Sequence, residues 1–199
     1  MSNTRPLYIF GSSGHAREVA AYAQISDPTR RIVYVDPHNQ GEDIISLEAY
    51  YEANKISPGE TVIGAGSGAI RRRMMHEIRP PFATIIHPSA VVLGSIGPGC
   101  VIAPGAVVAP NARLSAMVLV NYNATIGHDT LVETLAVIGP GAAVGGWCRV
   151  GSAAYVGAGA LIRERLQIGD DAVIGMGAVV VKNVPDNAIA TGVPAVWRS

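Results

Sequence analysis

An aliphatic residue recurs at every sixth position through the second half of the chain, from Ile96 to Val180, without an insertion. Four positions after each aliphatic lies a small-residue column, mostly Ala, and the position before this column is usually Gly, Asn or Asp. These three residue types tolerate positive φ best. Each hexad therefore predicts one short strand and one corner, and three hexads predict one triangular coil of 18 residues with the aliphatic side chains inside.

Strand-like and helix-like patterns alternate in the first part of the chain, and Pro80-Pro81 ends the last helix. Strands are expected at Leu7–Phe10, Ile32–Val35 and Thr61–Ile63, and helices at Ala16–Gln24, Leu47–Asn54 and Ala69–Ile78. This alternation indicates a small parallel sheet. The predicted fold is an α/β, Rossmann-like N-terminal domain at residues 1–82, followed by a left-handed parallel β-helix of hexapeptide repeats at residues 83–199.

The composition narrows the class of protein. Fifteen basic and fifteen acidic residues cancel, so no basic surplus favours nucleic acid or an anionic membrane. Apolar residues are scattered, and the start MSNTRPLYIF lacks the features of a signal peptide, so we expect a soluble, cytoplasmic protein. Cys100 and Cys148 both fall in the inward small column. We expect them to fill the core as free thiols.

Five segments carry a resemblance to a known family. They are YIFGSSGHA, VIGAGSGAIR, IIHPSA, NYNATIGHD and TGVPA, in this order. Over nearly the whole chain this set resembles the PglD/NeuD family of sugar acyltransferases. The resemblance implies acetyl-CoA as the donor, a homotrimer as the working unit and no metal. It also implies a nucleotide-linked amino sugar as the acceptor, in bacterial surface glycan biosynthesis.

A sugar amine that attacks a thioester must lose a proton, and neutral imidazole is a suitable base because it titrates near working pH. Of the five histidines, only His128 lies inside the regular coil, at an outward-facing corner. NYNATIGHD matches the family's catalytic segment, which implies that His128 is the base, that Asp129 orients it and that Asn121 contacts the acceptor. Asp129 also occupies a turn position where Asp is favoured anyway.

Four positions are candidates for binding the donor. Gly146 lies eighteen residues after His128, where it either leaves a notch for the pantetheine arm or is one more turn glycine. The resemblance carries Ala158 and Met176 over as cofactor positions, on a different corner from His128, which favours a site between two chains. Family members often carry a second His nine residues after the base. Here that position is Val137, so a backbone N–H would have to polarise the thioester carbonyl.

The turn Gly11-Ser12-Ser13-Gly14-His15 departs from the full dinucleotide motif G-x-G-x-x-G, so NAD is not proposed. A glycine-rich turn between strand and helix can still hold a phosphate on its backbone N–H groups. By resemblance, Ser13, Gly14 and His15 contact the nucleotide sugar, and Asp36 and Gly64 line the same pocket. The alternative is an ordinary tight turn.

Four functions remain open from the residues alone. The leading hypothesis is N-acetylation of a nucleotide-linked amino sugar, and the second is O-acetylation of a sugar such as sialic acid. A non-catalytic scaffold that binds a sugar nucleotide is the third. A metal-dependent hydratase on the same coil is the fourth, but it needs three His on adjacent faces and the coil offers one.

Overall fold

A four-stranded parallel sheet forms the N-terminal domain in the computed structural model, which describes residues 5–198. The strands are β1 (Leu7–Phe10), β2 (Ile32–Val35), β3 (Ile44–Ile45) and β4 (Glu60–Ile63), and the sheet order is β3-β2-β1-β4. The helices are α1 (Gly14–Ser26), α2 (Leu47–Ile56) and α3 (Gly68–Glu77). Residues 1–4 and Ser199, at the outer ends of the two predicted domains, lie outside the described residues.

The alternation of strands and helices is as predicted, and their bounds differ by at most two residues. Helix α1 begins at Gly14 rather than Ala16, so Gly14 and His15 belong to its first turn and not to the preceding loop. Strand β3 was not predicted. Its two residues, Ile44 and Ile45, pair with the exposed edge of β2 and are too few to form a recognisable pattern.

The second domain is a parallel β-helix with three faces, as the hexads predict. Most paired strands are 18 residues apart, for example Leu119 with Val137, and pairs at the two ends of the β-helix are 16 apart, for example Ile85 with Val101. We call the first face the domain face, because the N-terminal domain covers part of it; its strands are Ile85–Ile86, Val101–Ile102, Leu119–Val120, Val137–Ile138, Tyr155–Val156, Val173–Ile174, Ile189–Thr191 and Val196–Arg198.

The other two faces differ in the chemistry of their outward side chains. The apolar face consists of Val91–Val92, Val107–Val108, Thr125–Ile126, Ala143–Val144, Leu161–Ile162 and Val179–Val180. The charged face consists of Ser95–Ile96, Arg113–Leu114, Leu131–Val132, Arg149–Val150 and Gln167–Ile168. On the charged face Arg149 pairs with Glu133 at 2.8 Å and with Asp170 at 3.2 Å.

The corners adopt positive φ at every sixth residue from 99 to 177, as the repeat predicts. The conformation also holds where the residue is unfavourable for it, at Met117, Leu135, Trp147, Ala153 and Arg165. Closure of the coil therefore imposes positive φ at this position, whatever side chain the residue carries. The repeat does not predict the end of the domain, where Ile189–Thr191 pairs antiparallel with Val196–Arg198.

Inward aliphatic and small side chains fill the β-helix interior. Cys100 and Cys148 lie in this core as free thiols, as predicted. Burial raises the pKa of Cys100 to about 11, so its thiol stays protonated at neutral pH. No helix formed by residues 5–198 has the length and apolar character needed to cross a membrane.

Buried and charged contacts hold the two domains together. Helix α1 packs its apolar side against the domain face. The fully buried Arg71 of α3 donates to the backbone oxygen of Ala65 at 2.8 Å and to that of Met117 in the β-helix. Beside it, Arg72 forms an ion pair with Asp171. These contacts fix the glycine-rich loops of the first domain relative to the β-helix.

Candidate active site

His128 lies at the corner between the apolar face and the charged face. We call this the His128 corner, and it comprises residues 109–112, 127–130, 145–148 and 163–166. The side chain of His128 is 49% exposed, and its Nδ1 lies 2.8 Å from Oδ2 of Asp129. An ionised carboxylate only accepts hydrogen bonds, so this contact places the imidazole proton on Nδ1 and the lone pair on Nε2.

The Asp129 carboxylate is held at both of its oxygens. Its Oδ1 accepts a hydrogen bond from Nδ2 of Asn111, one coil earlier, at 3.2 Å. The hydrogen bonds from His128 and Asn111 lower the pKa of Asp129, so it is ionised at neutral pH. Among residues 5–198 no hydrogen bond reaches Nε2 of His128, so this nitrogen is free to accept a proton.

The imidazole is confined on two further sides. A side-chain carbon added at Gly146 would lie 2.8 Å from Nε2 of His128, so the space that this glycine leaves is filled by the imidazole itself. The Trp147 ring stands edge-on to the imidazole, with centroids 4.4 Å apart at 85°. The guanidinium of Arg165 lies 4.3 Å from the centre of the Trp147 ring. Asn111, Trp147 and Arg165 were not predicted as site residues, although with Asp129 they share one corner position at 18-residue spacing.

Two of the other proposed donor residues lie at a different corner, between the domain face and the apolar face. We call this the glycine corner, and it comprises residues 121–124, 139–142, 157–160 and 175–178. Ala158 and Met176 lie here, as predicted, and Met176 is 79% exposed. Gly141, Gly159 and Gly177 stand at its corner position with positive φ, and a side-chain carbon on any of them would meet nothing within 4 Å. The result is a strip without side chains that runs along three coils.

Val137 lies on the domain face, between Leu119 and Tyr155 in the same outward row. It is 2% exposed and forms part of the wall of a cavity of about 820 Å³ between the two domains. Asn121, Tyr155 and the loop at residues 66–69 also line this cavity. Val137 therefore lies near Asn121. Its apolar side chain occupies the position where family members often carry a second His.

The start of α1 offers free backbone donors. Ser13 precedes the helix, its side chain does not cap it, and both Ser13 and Gly14 are exposed. The first N–H groups of a helix lack internal partners and carry partial positive charge, which suits a phosphate. Gly64 packs closely beside this turn. It is buried, and a side-chain carbon there would lie 2.7 Å from that of Ala16.

Asp36 faces this turn, but protein groups already bind its carboxylate. Ser12 Oγ donates to Oδ2 at 2.7 Å, and Asn39 Nδ2 donates to the same oxygen at 3.1 Å. The backbone N–H of His38 donates to Oδ1 at 2.9 Å. Burial opposes ionisation of Asp36, but these hydrogen bonds outweigh it and lower its pKa. Ser12 and Asn39 went unnoticed in the sequence because only the folded turn brings them to Asp36.

His15 presents an unpaired nitrogen beside the same turn. Its Nδ1 lies 3.0 Å from a carboxylate oxygen of Glu18, whereas its Nε2 is buried with no partner among the described residues. Burial lowers the pKa of His15, and the hydrogen bond with Glu18 only partly opposes this shift. The ring is therefore neutral at pH 7, and its Nε2 needs a donor from outside residues 5–198, such as a hydroxyl or a water.

No cluster of three or more metal-binding side chains forms within the described part of the chain.

Comparison with known proteins agrees with the architecture of both domains. Residues 6–78 match the family model of the PglD N-terminal domain. The acetyltransferase domain of PglB from Neisseria gonorrhoeae FA1090 is 32% identical with a TM-score of 0.89, and the match covers 98% of this chain and 100% of that one. The same domain in complex with acetyl coenzyme A is 30% identical over the same shares of the chains, also with a TM-score of 0.89. No curated protein sequence matches the chain.

A third similar structure contains a nucleotide-linked sugar as well as CoA. PerB from Caulobacter crescentus, in complex with CoA and GDP-perosamine, is 27% identical with a TM-score of 0.88, and the match covers 98% of this chain and 97% of that one. The chain combines a Rossmann-like N-terminal domain with a left-handed β-helix, and it is similar to the acetyltransferase structures named above. Together these findings define the protein as an acyltransferase. The chain belongs to the PglD/NeuD family of sugar acyltransferases.

Proposed function

We propose that this protein transfers an acetyl group from acetyl-CoA to the amino group of a nucleotide-linked sugar, with His128 as the general base. The observation that carries the proposal is the His128–Asp129 pair, exposed at a corner of the β-helix with Nε2 unpaired. The relatives named above include one bound to acetyl-CoA and one bound to CoA and GDP-perosamine. A diffusible acetyl-CoA donor also favours a cytoplasmic enzyme.

The proposed proton path runs through His128. Its Nε2 accepts the proton of the attacking amine as the new C–N bond forms, and the imidazolium that results is stabilised by the ionised Asp129. The same Nε2 then returns the proton to the departing sulfur. Gly146 and Trp147 keep the ring in place throughout, because they leave it little room to turn.

Acetyl-CoA, when bound, supplies a thioester carbonyl as the electrophile. The strip at Gly141, Gly159 and Gly177 suits its slender arm, since it carries no side chain over three coils, and we propose it as the donor groove. Ala158 and Met176 would form the walls of this groove. Val137 is apolar and cannot polarise the carbonyl, so we assign that task to a backbone N–H.

The N-terminal domain supplies the site for the nucleotide sugar. The free N–H groups at Ser13 and Gly14 suit a phosphate. The unpaired Nε2 of neutral His15 suits a hydroxyl donor. Asp36, whose carboxylate already binds Ser12 and Asn39, shapes the turn more than it offers free acceptors.

A homotrimer would complete the site. The apolar face separates the His128 corner from the glycine corner, so one chain presents its base and its donor groove on opposite edges of this face. The outward residues of the face carry no charge, which suits contact with a second copy; they are Val91, Val107, Thr125, Ala143, Leu161 and Val179. If the chains pack around a threefold axis, the His128 corner of one meets the glycine corner of the next.

The test is a screen of nucleotide amino sugars with acetyl-CoA, in which release of the free thiol is followed. We expect thiol release with at least one 4-amino or 3-amino nucleotide sugar and an N-acetylated product by mass spectrometry. Sugars that offer only hydroxyl groups form a second arm of the screen. If only these sugars are turned over, the proposed reaction is O-acetylation and not N-acetylation. Binding of sugar nucleotides without thiol release in either arm would favour a scaffold.

A further inference from the structure

The Asp129 carboxylate has two partners that lie on different coils. Asn111 donates to Oδ1 at 3.2 Å from the preceding coil, and His128 lies 2.8 Å from Oδ2 on the same coil. Rotation of a carboxylate about its last torsion is ordinarily broad. With one donor on each oxygen, that rotation is restricted and the oxygen that faces the imidazole is defined.

Little else holds this carboxylate. Within residues 5–198 Asp129 makes no further side-chain hydrogen bond, and its side chain is 34% exposed. Asn111, Asp129 and Trp147 border a groove of about 560 Å³, whose lining also includes the cationic Arg113. The carboxylate therefore borders open space, and without Asn111 it would be free to turn toward that groove.

We propose that Asn111 is a positioning residue for the His128–Asp129 pair. It orients Asp129 and, through Asp129, keeps the proton of the imidazole on Nδ1 and the lone pair on Nε2. Asn111 makes no hydrogen bond with His128, so it acts through the carboxylate alone. Its amide is neutral and adds a donor without changing the charge of the corner. The catalytic consequence rests on the proposed function of His128.

Asn111 can be replaced without straining the backbone of its turn. Asn111 has φ of 61°, so Asn111→Gly removes the amide without backbone strain. Asn187→Gly is the matched control, because Asn187 has φ of 59° in the last coil and its side chain makes no hydrogen bond within the described residues. We expect Asn111→Gly to lower kcat about three- to tenfold with both KM values unchanged, in keeping with the loss of one hydrogen bond to a charged group. Asn187→Gly should match the parent protein.

A double-mutant cycle separates positioning from a general structural effect. In the Asp129→Asn background, Asn111→Gly should cause no further loss of kcat, because the carboxylate through which it acts is gone. An equal loss in both backgrounds would overturn the inference. Unchanged kcat in Asn111→Gly, with His128 still essential, would overturn it as well.

A second readout does not depend on activity. The NMR shifts of the imidazole nitrogens report which nitrogen carries the proton, and the His128 signals are assigned by their loss in His128→Ala. Asn111→Gly should increase the share of the Nε2–H form, and Asn187→Gly should not. If His128→Ala stays active but this change is seen, the proposed function fails and the positioning role stands. An unaltered spectrum in Asn111→Gly contradicts the positioning role itself.

Discussion

The His128 corner and the glycine corner share one backbone turn and carry opposite chemistry. At the His128 corner, side chains contact one another from coil to coil, through the bond from Asn111 to Asp129 and the stacking of Trp147 with Arg165. At the glycine corner the equivalent positions, Gly141 and Gly159, carry no side chain. Because the coil imposes positive φ at both, the fold leaves the choice of side chain open to function.

This difference between the two corners explains why, in our account, one chain alone cannot form a complete active site. The polar corner activates the acceptor and the bare corner accommodates the donor, but the apolar face keeps them apart within a chain. Each of the next predictions damages one corner and should leave the function of the other intact.

The largest effect is expected from His128→Ala. Loss of the general base should lower kcat by roughly 10²- to 10⁴-fold. The affinity for acetyl-CoA should change little, because the glycine corner is untouched. Steady-state kinetics and calorimetry with acetyl-CoA measure both quantities; a variant that keeps most of the parent's turnover would rule out His128 as the base.

Gly146→Ala should have an intermediate effect. The added carbon would lie 2.8 Å from Nε2 of His128, and its three nearest neighbours are all atoms of that ring. The imidazole must move away, so kcat should fall about 10- to 100-fold, in line with a small misplacement of a catalytic group. In the His128→Ala background the same substitution has no ring to displace. A further loss of activity or of thermal stability there would show that Gly146 matters for another reason.

Ala158→Trp tests the glycine corner and should have the smallest effect. The indole would partly fill the groove and raise KM for acetyl-CoA about tenfold, equivalent to about 1.4 kcal/mol of binding free energy. Turnover at saturating donor should stay near the parent value. Gln167→Trp, at an exposed position on the charged face, serves as the control for a large aromatic surface. Equal KM values in both variants would argue against a donor groove at this corner.

The repeat made the β-helix predictable because its period of six specifies strand, corner and inward side chain at once. The position of His128 on an outward corner followed from counting alone. Its surroundings did not, since the contact with Trp147 depends on side-chain torsions that no period encodes. The hydrogen bond from Ser12 to Asp36 likewise joins residues 24 positions apart that meet only after the sheet forms.

The site between chains is the central claim, and mixed trimers test it most directly. Chains carrying His128→Ala and chains carrying Ala158→Trp are co-expressed with different tags, and trimers with both tags are assayed at low acetyl-CoA. If each site takes its base from one chain and its groove from the next, every mixed trimer contains one intact site of three, so about a third of the parent activity should return. Activity no higher than that of the two variants separately would contradict the account, because a site within one chain always carries one of the two defects.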